Sequence, residues 1–140
     1  MRDAVHNTVM DCHVIPLRFI NRKEGLLTLV EELKDIPFRM RRIYYIHNVP
    51  DNAMRGHHAH KKLHQLMIAV SGCFHVELHD GSMNRWVWLD NANEGLLIVP
   101  GIWRELSDFS EDAVCLVIAS QRYDENDYIR DYNEFLKFKQ

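Results

Sequence analysis

The sequence predicts an all-β fold, a jelly-roll (double-stranded β-helix) barrel with one helix at its C-terminal end. Three observations carry that expectation. Short apolar or alternating runs recur at close spacing, turn residues punctuate them, and helical periodicity appears only in the tail. Residues 1–11 lack periodicity and read as a loose arm. Residues 13–20 (HVIPLRFI) form a first strand, with Pro16 suited to an edge, and 26–30 a second after a polar turn at 21–25. Residues 31–38 are a connection that Pro37 stops, and 39–49 (RMRRIYYIHNV) read as a third strand with a β-branched and aromatic centre. The histidine-rich strand comes next, running into the apolar segment 66–70. From Cys73 the residues alternate, with Phe74, Val76 and Leu78 on one face and His75, Glu77 and His79 on the other. Asp80-Gly81 then turns the chain into 85–89. Residues 96–99 and 113–120 are two further buried strands. In the tail, acidic residues at 124–127 precede Tyr128, Ile129, Tyr132, Phe135 and Leu136 at helical spacing.

The chain has 140 residues, enough for one domain with its own core. A formal net charge of −3 gives no electrostatic argument for nucleic acid or a membrane surface, and no partner of either kind is expected. The three cysteines are far apart and form no CxxC pair, which argues against both a disulfide framework and a thiolate zinc site. No apolar run approaches the roughly 20 residues that span a bilayer. The expectation is a soluble, reduced, cytoplasmic protein. Edge strands near the N-terminus invite exchange with a second copy, so a homodimer is expected.

Nine histidines are many for this length, and they cluster. His58 and His60 are two apart, a spacing that places both rings on one face of a strand. His64 shares their parity if the strand continues without a bulge. Two imidazoles delivered to the mouth of a β-barrel form either a metal site or an acid–base pair. His57, His75 and His79 read as surface or packing residues.

Two pieces of the chain resemble the cupin pattern: residues 56–72, with HxH and a further position four residues on, and residues 95–104, with Pro100-Gly101 before a last position. Where metal-binding cupins place Glu and a second-motif His, this chain has His64 and Arg104. A guanidinium offers no lone pair and repels a divalent cation, so the metal set is broken at that place. A narrower resemblance runs from about Ile15 to Phe138. RGHHAHKKLHQ, IYYI at 43–46, PGIWRELSDFS and YDENDYIRDYNEF together resemble the dTDP-4-keto-6-deoxyglucose 3,4-ketoisomerases, the WxcM-like sugar isomerases. That resemblance implies a cupin-type barrel, no cofactor and no metal. It also implies a dTDP-linked 4-keto-6-deoxy sugar as substrate and a 3-keto product destined for amino-deoxyhexose synthesis.

It further implies His58 and His60 as the active-site pair, with Tyr44 and Arg104 in the pocket. Arg104 and Glu24 fall at positions tied to the configuration at carbon 4, and Glu24 departs from the Tyr or Arg usual there. The reaction needs a base near neutrality, a donor for the enolate oxygen and dry walls. The nucleotide diphosphate needs cations, for which Arg55, Lys61 and Arg41 are candidates, with Trp103 flanking the base or sugar. Two other readings stay open: a metal-dependent cupin using His58, His60 and His64, and a non-catalytic cupin that binds nucleotide sugars.

Overall fold

The computed structural model describes residues 3–140. Two five-stranded antiparallel sheets face each other as a jelly roll. The first is built from β1 (His13–Pro16), β9 (Glu94–Ile98), β6 (Gln65–Ser71), β11 (Val114–Ala119) and β4 (Arg42–His47), in that order across the sheet. In the second, β12 (Tyr128–Ile129) lies beside β5 (Arg55–His60), followed by β10 (Trp103–Ser107), β7 (Phe74–His79) and β8 (Asn84–Leu89). β2 (Phe19–Arg22) and β3 (Gly25–Thr28) pair only with each other, as a hairpin.

The strand alternation translates directly into the core. Phe74, Val76 and Leu78 of β7 are fully buried and meet Met67, Ala69, Leu96, Ile98, Cys115 and Val117 of the facing sheet. Each such large apolar side chain contributes roughly 1.5–3 kcal/mol. A second cluster on the outer face of the first sheet is covered by Leu17, Ile36 and Phe38. Farther along that face Ile43 and Tyr45 stay about three-fifths exposed, and Phe19, Ile20, Leu26 and Leu27 of the hairpin are also exposed.

Four expectations are corrected. The arm is not loose over its described residues 3–11. Val9 is buried, the Asn7 side chain donates to the Pro100 carbonyl at 3.0 Å, and Lys139 Nζ donates to the carbonyls of Ala4, Asn7 and Gly101. Arg85 also reaches the Val9 and Cys12 carbonyls. These polar anchors lie far away in sequence, where local periodicity cannot register them. The first strand is broken at Leu17-Arg18, where Leu17 turns inward to the second cluster.

The helix α1 spans only Tyr132–Phe138, capped by Asp131, and packs Phe135 against Trp103. Tyr128 and Ile129 instead pair with His60 and Ala59, because the open edge of β5 satisfies their backbone groups as a strand. Finally, β5 ends at His60 and a new strand begins at Gln65, so His64 does not continue the parity of the histidine pair.

Candidate active site

A cavity of about 410 Å³ opens between β4 of one sheet and β5, β10 and β12 of the other. Arg42, Tyr44 and Ile46 reach it from β4, Arg55 to His58 from β5, Arg104 and Leu106 from β10, and Tyr128 and Arg130 from the C-terminal segment. A bulge shapes its wall. Arg104 pairs with His58 and Glu105 with Gly56, so His57 is the extra residue. Gly56 and His57 both adopt positive φ, of 91° and 57°. A Cβ on Gly56 would lie 2.8 Å from the Arg104 carbonyl oxygen, so glycine is required for this approach.

His58 and His60 stand with ring centroids 4.9 Å apart at 87°, and the Tyr128 ring lies 5.0 and 4.3 Å from them. His58 lines the cavity, while His60 sits behind it, wholly buried. Their tautomers follow from their partners. His58 Nδ1 is 3.0 Å from the Gly56 carbonyl, which can only accept, so Nδ1 donates. His60 Nδ1 donates in the same way to Asp127 Oδ2 at 3.0 Å. Each Nε2 is therefore left with its lone pair, buried and without a hydrogen-bond partner.

Electrostatics keep both rings neutral. Burial, then the charges of Arg104 and His60, push the pKa of His58 down to about 2. Burial also lowers His60, to about 4, with the Asp127 carboxylate opposing it. At neutral pH both rings are therefore uncharged, each with an unprotonated Nε2.

Arg104 is buried completely. Its guanidinium donates to Gln65 Oε1 and to the Ile102 carbonyl, and Gln65 Nε2 donates in turn to the Tyr44 hydroxyl at 3.0 Å. Because the Tyr44 oxygen accepts from Gln65, its own hydrogen is free for an oxygen in the cavity. Arg42 stacks over the rings of Tyr44 and Tyr123, with its Nε and one terminal nitrogen buried and unpaired. It is a cation in search of an anion.

Of the residues singled out in the sequence, His58, Tyr44, Arg104 and Arg55 line the cavity and His60 backs it. Four others lie elsewhere. Arg41 points to the opposite face of β4 from Tyr44, beside Ser120 and Arg122; the same alternation brings Arg42 in. Trp103, adjacent to the inward Arg104, faces outward under α1 and donates to Glu105. Lys61 lies past the end of β5 and donates to the Asn126 carbonyl. Glu24 sits in the exposed turn of the β2–β3 hairpin. Asp127, Tyr128 and Gln65 were missed. Parity would have found Arg42, but only tertiary pairing brings Asp127 to His60.

The metal-cupin reading does not fit these residues. His64 lines a separate cavity with Asn7, His13 and Leu97, and the Arg104 guanidinium stands beside the histidine pair.

Fold and site together define a cupin-type barrel with two buried, neutral imidazoles at and behind the wall of one cavity. The chain belongs to the family described as WxcM-like, C-terminal (FdtA), which it matches over residues 10–140. It is 43% identical over 129 residues to a TDP-4-oxo-6-deoxy-α-D-glucose 3,4-oxoisomerase of Aneurinibacillus thermoaerophilus, covering 92% of this chain and 93% of that one. Its structure resembles QdtA, a sugar 3,4-ketoisomerase of Thermoanaerobacterium thermosaccharolyticum solved with TDP, at a TM-score of 0.90 and 40% identity. That likeness covers 92% of this chain and 94% of QdtA. A histidine-to-asparagine variant of QdtA has been solved with TDP-4-keto-6-deoxyglucose. A 3,4-ketoisomerase of Helicobacter canadensis gives a TM-score of 0.90 and 42% identity, covering 92% of this chain and 97% of that one.

Proposed function

We infer that this protein is a sugar 3,4-ketoisomerase acting on dTDP-4-keto-6-deoxy-D-glucose. The observation that carries this reading is the pair of neutral imidazoles at a cavity whose other walls supply Tyr44, Arg104 and Arg42. Such a site can move a proton but offers no group that changes oxidation state.

The steps balance without a co-reactant. The base removes the carbon-3 proton, and the released electron pair forms the carbon-3–carbon-4 double bond as the carbon-4 oxygen becomes an enolate. That oxygen gains a proton, giving the enediol. The carbon-3 hydroxyl then loses its proton, its electrons form the new ketone, and carbon 4 takes up a proton. The two imidazoles, edge to face, divide the work: one exchanges the carbon-bound protons and the other relays protons to and from the oxygens. Tyr44 donates to the developing enolate and the Arg104 charge stabilises it. Arg42 and Arg55 receive the diphosphate.

In deuterated water the wild type incorporates deuterium into the sugar ring and accumulates the 3-keto sugar, and His58→Asn does neither while still binding dTDP. A wild type that binds the sugar without exchange is instead a non-catalytic binding module. The exposed Ile43, Tyr45 and hairpin residues support a homodimer that buries this apolar face, which light scattering tests directly. Among the described residues no helix is long and apolar enough to cross a membrane. The three free cysteines accord with a reducing compartment, and a cytoplasmic supply of 3-keto sugar for surface glycans is the setting we propose.

A further inference from the structure

The outer face of the second sheet carries a constellation that the isomerisation does not use. Glu77 and His79 are two apart on β7 and share that face, and Glu105 pairs directly with Glu77 across to β10. Their ligand atoms lie within 4.8 Å of one another, the only such group of three or more among the described residues. His79 Nε2 is 3.3 Å from Glu77 Oε2 and 4.0 Å from Glu105 Oε2. That nitrogen has lost its contact with solvent, yet makes no hydrogen bond.

Both carboxylates are held from behind. Trp103 Nε1 donates to Glu105 at 3.0 Å, and Asn84 Nδ2 lies 3.3 Å from Glu77 Oε2 as donor. The second oxygen of Glu105 faces His57 Nδ1 at 3.3 Å. Outer partners of this kind orient ligands at metal sites.

We propose that Glu77, His79 and Glu105 bind one divalent transition-metal ion on the outside of the barrel. One imidazole and two carboxylates suit zinc or manganese and leave coordination positions for water. His79 Nε2 and Glu77 Oε2, 3.3 Å apart, are already spaced as two ligands of one ion, and Glu105 Oε2, 4.0 Å from His79 Nε2, must draw closer on binding. The ion would tie β7 to β10 one residue from Arg104. Through Glu105 it would also engage His57, the bulge residue next to His58. Its role is therefore to stiffen the wall of the active site, not to take part in the chemistry.

Zinc chloride titrated into chelator-treated protein by calorimetry tests this. One ion per chain binds with a Kd of about 10 µM or tighter and raises the melting temperature. Glu77→Gln and Glu105→Gln each weaken binding about tenfold or more. The His58→Asn/His60→Asn double variant binds zinc as the wild type does. Retained isomerase activity in Glu77→Gln shows that this variant is folded. Weaker binding by the wild type overturns the proposal. So does binding that survives both glutamate changes but is lost with the active-site histidines, which would place the ion in the catalytic cavity.

Discussion

His60 Nδ1 lies 3.0 Å from Asp127 Oδ2, and both side chains are buried. The two residues are 67 positions apart, joined where β12 closes on the edge of β5. The carboxylate selects one tautomer of the imidazole and stabilises the imidazolium that forms when His60 accepts a proton. It is also anchored itself, since Asp127 Oδ1 accepts from the Lys62 backbone at 2.8 Å.

Asp127→Asn keeps the shape of this contact and removes its charge. The expected result is a fall in kcat of about 10- to 100-fold, with KM close to that of the wild type. Steady-state kinetics on dTDP-4-keto-6-deoxyglucose check it. An unchanged kcat would remove Asp127 from the proton path.

The histidine pair makes folding sensitive to acid. Both pKa values are lowered from 6.5 in the native state, to about 2 for His58 and about 4 for His60. Below pH 6.5 the unfolded chain therefore binds protons that the native protein refuses. Stability falls as pH drops, by up to about 1.4 kcal/mol per pH unit for each histidine. The His60 contribution levels off near its native pKa, while that of His58 continues lower. Melting curves taken between pH 7.5 and 5 should show a decline that is shallower in His58→Asn; equal slopes would refute the assignment.

Gly56 is tied to the site by its backbone alone. In Gly56→Ala, positive φ and the approach to the Arg104 carbonyl both oppose the added methyl. A loss of roughly 1–3 kcal/mol is expected. Because the bulge aims His58, activity should fall further than the folded fraction does. Circular dichroism and turnover measured on the same sample separate the two effects.

Gln65 links Arg104 to Tyr44. Gln65→Leu leaves a buried guanidinium short of an acceptor, at a cost of about 2–3 kcal/mol, and frees the Tyr44 hydroxyl to turn away. Gln65→Glu keeps an acceptor for Arg104 and should retain more stability than Gln65→Leu. Chemical denaturation of the two variants gives the comparison, and the reverse order would exclude this role.

Much of the fold was legible in the residue pattern. Period-two alternation at Phe74, Val76 and Leu78 becomes a buried strand face, and Asp80-Gly81 becomes the turn after it, with Asp80 accepting from the Ser82 and Met83 backbones. The histidine pair, Tyr44 and Arg104 were legible as well, carried by motif phrases. Two of the departures share a cause. Arg41 and Trp103 were chosen for nearness in sequence, yet on a strand immediate neighbours face opposite ways, so their partners Arg42 and Arg104 entered the cavity instead.

Sequence alone determined the all-β jelly roll and the two histidines on one strand face, because both are written in local spacing, while the place of Arg104 followed from the family resemblance. Tertiary structure alone decided that the arm packs, that 128–129 form a strand, that His57 bulges and that Asp127 meets His60. Those outcomes depend on which distant backbone edges and buried polar groups find partners, and a pattern of neighbours along the chain does not encode that pairing.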